Sequence, residues 1–88
     1  MVSRILTIDC PLGIHLRPAG AMADEAIKYT CKIEFVYKAT KVANAKSVLS
    51  ILAAGVKCGD DIEVRCEGDD EETALEAVCT ALMESLES

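Results

Sequence analysis

From residue 61 to residue 67 the chain alternates without a break, with Ile62, Val64 and Cys66 on one side and Asp61, Glu63, Arg65 and Glu67 on the other. A period of two marks a strand with one dry face and one wet face. Such a strand needs neighbours to pair with and an apolar layer on one side only. The segment that follows can supply that layer. From about residue 70 to 86 the period lengthens to that of a helix, with Leu75, Val78, Leu82 and Leu86 along one stripe. Asp69 reads as the cap of this helix, and Glu71 and Glu72 suit its positive start.

The same two periods organise the rest of the chain. Residues 2–8 read as a strand with Val2, Leu6 and Ile8 inward, broken by Cys10-Pro11-Leu12-Gly13. Residues 16–28 read as a helix whose Ala19, Met22, Ala23, Ala26 and Ile27 share a face. Pro18 falls in its first turn, where a missing N–H costs no intrahelical bond. Strands at 32–37 and 40–44 flank a turn near Lys38-Ala39, with Ile33 and Phe35 alternating against Lys32 and Glu34. Residues 47–54 form a short helix capped by Ser47 and ended by Gly55. The order βαββαβα implies an α+β fold, a mostly antiparallel sheet with helices packed on one face. Order alone leaves a ferredoxin-like wrap and other two-layer sandwiches open. With 88 residues and neither linker nor repeat, a single domain over 1–88 is expected.

Composition removes several classes of function. A net charge of −6 disfavours nucleic acid as a partner, because phosphate backbones attract basic surfaces. No apolar run approaches the ~20 residues of a membrane span, and no signal-peptide pattern is visible, so a cytoplasmic protein off the membrane is expected. The five cysteines are odd in number, none are spaced as ligand pairs, and one histidine cannot complete a ligand set. Neither a metal nor a disulfide framework is expected, and Cys66 and Cys79 read as small core hydrophobes.

The only histidine, His15, lies in Gly13-Ile14-His15-Leu16-Arg17-Pro18-Ala19-Gly20, where the first strand hands over to the first helix. The N–H groups of a first helical turn, the positive helix end and a guanidinium all favour an anion. A phosphoryl relay needs those features around a neutral, accessible imidazole, since charge builds on the phosphoryl oxygens during in-line transfer. His15 fits the nucleophile, the N–H groups of Leu16 and Arg17 the fixed donors, and the Arg17 side chain the charge partner. Gly13 allows the tight turn into the helix. Taken alone, these residues balance that reading against a surface histidine that simply caps a helix.

The run Gly13–Ala19 closely resembles the active-site motif of the HPr family, the histidine-containing phosphocarriers of the sugar phosphotransferase system. Asn44-Ala45-Lys46-Ser47 before a short apolar helix resembles the family's regulatory serine motif. With Gly55, Gly59 and the acidic start of the last helix, the likeness spans essentially the whole chain. It implies an open-faced β-sandwich, a four-stranded antiparallel sheet with three helices on one side. It further implies that enzyme I, charged by phosphoenolpyruvate, phosphorylates His15 on Nδ1, and that the group passes to IIA components of sugar permeases. The protein would then be a monomeric carrier without cofactor or metal, not an enzyme. Ser47 would be the target of an HPr serine kinase/phosphorylase. Leu16 and Gly20 depart from the family's usual residues and bear on which partners dock.

The apolar residues of the short helix cover more than one stripe. Ile51 is expected to face the core, and Val48, Leu49 and Leu52 to form a docking patch beside His15. Two alternatives stand beside the sugar carrier: a regulatory paralogue with the same phosphohistidine chemistry, and a ligand-sensing module whose histidine is incidental.

Overall fold

In the computed structural model, which describes residues 1–87, the alternating segment becomes strand β4 (Asp61–Glu67) at the heart of the sheet. Ile62, Val64 and Cys66 are all buried. Strand β4 pairs with β1 (Val2–Thr7) on one side and with β2 (Lys32–Tyr37) on the other, and β3 (Lys41–Asn44) adds to β2. Every pairing is antiparallel, and the spatial order is β1-β4-β2-β3. Helices α1 (Leu16–Ala26), α2 (Val48–Ala53) and α3 (Glu71–Glu87) complete the order βαββαβα of an open-faced β-sandwich.

The core lies between sheet and helices. Ile33, Phe35, Ile62 and Val64 from the sheet meet Ala19, Met22 and Ala26 of α1, Ile51 of α2, and Val78 and Leu82 of α3. Each large aliphatic or aromatic side chain buried in this way contributes about 1.5–3 kcal/mol. Cys66 and Cys79 belong to the same core, and all five cysteines are free thiols.

The sequence expectations fail at element ends. Helix α1 stops at Ala26 and not at 28, and Ile27, expected on its buried face, is 63% exposed. Ile27 is the C-cap, and it stands about 80° round the helix from Ala19, at the margin of the stripe. Helix α3 starts at Glu71, so Asp70 and not Asp69 takes the position before it. The Asp70 carboxylate accepts the N–H groups of Thr30 (2.9 Å) and Cys31 (3.0 Å), which ties the start of α3 to the loop between α1 and β2. Strand β1 ends one residue early, yet Ile8 stays buried and exchanges backbone bonds with Gly59 and Asp60 (2.7 and 2.8 Å).

Candidate phosphoryl-acceptor site

The loop that carries His15 is fixed from behind. Gly13 has φ +63°, and a Cβ there would sit 2.3 Å from the Val56 carbonyl oxygen and 2.9 Å from the Lys57 Cα. Only glycine meets both demands. The Gly13 N–H bonds the Cys10 carbonyl (2.8 Å), and the N–H of buried Ile14 bonds the Val56 carbonyl (3.1 Å). The loop therefore lies flat on the segment that follows α2, and His15 leaves it at a defined point.

His15 is the N-cap of α1, with extended backbone (φ −91°, ψ −168°). Its carbonyl accepts the Ala19 N–H at 3.0 Å, the first intrahelical bond. Its ring makes no capping hydrogen bond, so the imidazole is not spent on holding the helix together. Pro18 has no N–H, and the donors that the start of α1 contributes are those of Leu16 and Arg17. No acidic residue occupies the first turn. That helix start is electropositive, and the chain supplies no carboxylate of its own in the first turn to answer it. His15 is half-buried where exposure was expected, because Ile14 and Pro18 on either side of it are drawn into the core. Leu16 and Arg17 are exposed. A methyl at Gly20 would meet nothing within 4 Å, so packing does not demand glycine there.

Ser47 caps α2 as expected, its hydroxyl accepting the Ser50 N–H at 3.2 Å. The Ser50 hydroxyl in turn accepts the Asn44 N–H (2.9 Å), and the Asn44 side chain accepts the Lys46 N–H (2.9 Å). The Lys46 ammonium donates to the Tyr29 carbonyl at 2.7 Å and so joins the entry of α2 to the exit of α1. Of the expected docking residues, Leu49 is 80% exposed, while Val48 and Leu52 are half-buried against the core. Leu12 and Leu16, on either side of His15 in the chain, also expose large aliphatic side chains. The sequence reading missed Leu12. The available signal was an aliphatic residue after Pro11, in a loop whose neighbours offer no periodic face to bury it.

A family model for the PTS HPr component phosphorylation site matches residues 2–84. The chain belongs to the HPr family. The phosphocarrier protein HPr of Mycoplasma pneumoniae is 39% identical over 77 residues, 88% of each chain. That of Lysinibacillus sphaericus is 38% identical over 84 residues, 96% of this chain and 94% of the relative. Among solved structures, a Mycoplasma histidine-containing phosphocarrier protein superposes with a TM-score of 0.92 at 28% identity, over 97% of both chains. Phosphocarrier chemistry in the phosphotransferase system, and with it sugar transport, is thus the family setting of this HPr chain.

Proposed function

We propose that His15 takes a phosphoryl group from enzyme I and passes it to IIA components of sugar permeases, in the cytoplasm and without a cofactor. The observation that carries the proposal is the idle ring at the helix start: His15 occupies the N-cap of α1 and makes no capping bond. In each transfer one imidazole N–P bond forms as the donor's N–P bond breaks, in line. The proton on the attacking ring is shared with solvent, and the departing imidazole leaves neutral or protonated. The Leu16 and Arg17 N–H groups would receive the phosphoryl oxygens, with the Arg17 guanidinium as charge partner. Leu49, with the half-buried Val48 and Leu52, would form the apolar centre against which partner proteins dock, and basic residues around that centre would suit a chain of net charge −6.

His15→Ala should abolish acceptance of label from phosphoenolpyruvate and enzyme I while circular dichroism stays that of the wild type. Arg17→Ala should slow transfer by about 10²-fold, the loss expected for one charge-assisted contact to the transition state. Acid-labile phosphate appearing undiminished in His15→Ala would defeat the proposal. The regulatory paralogue shares this chemistry and differs only in the partner that receives the group.

A further inference from the structure

A cavity of about 580 Å³ opens where β2 begins and β3 ends, at the end of the sheet away from His15. The register sets the two apart. His15 follows β1, whose last residue Thr7 pairs with Asp61 at the start of β4, whereas Lys32 pairs with Glu67 at its end. The polar lining of the cavity comes from Thr30, Lys32, Glu34, Asn44, Lys46 and Ser50. Three segments therefore meet there: the start of β2, the stretch from the end of β3 to Lys46, and α2.

The hydrogen bonds of these residues use acceptors and leave donors. The Asn44 side-chain oxygen accepts the Lys46 N–H (2.9 Å), so the NH₂ group of Asn44 is what remains to bond a ligand. The Ser50 hydroxyl oxygen accepts the Asn44 N–H (2.9 Å), and its proton has no acceptor among the described residues. Half-buried Lys46 gives one N–H to the Tyr29 carbonyl (2.7 Å) and pairs with no carboxylate among the described residues. Lys32 meets Glu34 at 3.7 Å, a loose contact on an exposed side chain. The next carboxylate, Asp70, does not line the cavity. It is engaged by the N–H groups of Thr30 and Cys31 (2.9 and 3.0 Å) and by the Thr30 hydroxyl (3.4 Å).

We propose that this cavity binds a phosphate monoester, at a position separate from the phosphoryl-acceptor site. Two ammonium groups, an amide NH₂ and a hydroxyl proton around one hollow select an anion, because Glu34 is the only charged acceptor among them. These donors come from three segments and so from different directions. That arrangement suits the three terminal oxygens of a tetrahedral phosphate better than the two of a planar carboxylate. Beyond the phosphate there is room for the small carbon skeleton of an ester, with Val42 as its apolar contact. Ammonium groups that stay partly in water hold such a ligand weakly, with a dissociation constant on the order of 10⁻³ M.

Amide NMR spectra of the isotope-labelled full chain test this in a titration with glycerol phosphate, ionic strength being held constant with sodium chloride. Signals of Thr30, Lys32, Asn44, Lys46 and Ser50 should shift together and saturate with a midpoint of about 1 mM. Glycerol should leave them in place, and acetate should bind at least about tenfold more weakly. The start of α1 also attracts anions, so shifts at Leu16 and Arg17 are followed separately. Lys46→Gln keeps a donor for the Tyr29 carbonyl but loses the charge, and should weaken binding in the cavity at least about tenfold. Lys32→Gln, at an exposed side chain, should weaken it about threefold and carries the test alone if Lys46→Gln unfolds. Both variants should leave the response of Leu16 and Arg17 as in the wild type. Shifts confined to Leu16 and Arg17, or shifts around the cavity that never saturate, overturn the proposal. So does binding as tight in the lysine variants as in the wild type, or acetate that binds as well as glycerol phosphate.

Discussion

Ser47 has two physical reasons to be a serine. As the cap of α2 its hydroxyl accepts the Ser50 N–H, and an alanine there would cost about 1 kcal/mol. As a phosphorylation site it would add about two negative charges at a helix start, which tolerates anions, beside the exposed Leu49. The two roles separate in Ser47→Asp. The carboxylate can keep the cap, so the melting temperature should hold or rise slightly, yet phosphorylation of His15 by enzyme I should slow at least about tenfold through lost docking. Equal rates for variant and wild type would leave Ser47 a helix cap alone. At this scale the sequence was informative where a residue's role is local. His15 at a strand–helix junction and Ser47 at a cap position could both be read from their neighbours. Asp69 and Asp70 could not be told apart, because the choice was made by the N–H groups of Thr30 and Cys31 from another part of the chain.

The elements themselves followed from periodicity, and their connections did not. Alternation identified β2 and β4 residue for residue, but the turn after β2 carried no warning of its geometry. Lys38 (φ +50°) and Ala39 (φ +66°) both lie in the left-handed region, although neither residue type favours it. Holding an L-residue there costs roughly 1–2 kcal/mol, which the pairing of β2 with β3 must offset. Ala39→Gly relieves the strain, while the freer unfolded chain takes back part of the gain. A net stabilisation of about 0.5–1 kcal/mol is expected, visible as a higher denaturant midpoint at an unchanged slope. A lower midpoint would mean that the turn is held by contacts of the alanine methyl and is not strained. Nor did the order β1-β4-β2-β3 follow from the pattern of any strand, since alternation says which face is dry and nothing about which neighbour lies alongside.

For the molecule as a whole, acid acts on the seam where the start of α3 meets the loop between α1 and β2. Asp70 bridges residues 40 positions apart in the chain. Its carboxyl is held below the usual carboxylate range, first by the Thr30 N–H and further by the Cys31 thiol and N–H. Glu71 beside it is lowered as well, chiefly by the Gly68 N–H and then by the N-terminal ammonium. A group whose folded pKa is depressed binds its proton more readily in the unfolded chain. Its stabilising contribution is therefore complete above the unfolded value and is lost as pH falls through the folded one. Stability should decline once pH drops below about 4, where unfolded carboxyls begin to protonate. An opposing effect exists, because protonating exposed carboxylates relieves the self-repulsion of a chain with net charge −6. The two separate in Asp70→Asn. This variant keeps one acceptor oxygen but loses the charge, so it should melt at a lower temperature than the wild type at neutral pH. The gap should close as pH falls below about 4, because protonation then costs the wild type the same charge. Thermal melts of both proteins across that range decide the matter. Two melting-temperature profiles that stay parallel down to the acid end would show that the Asp70 charge does not hold the seam.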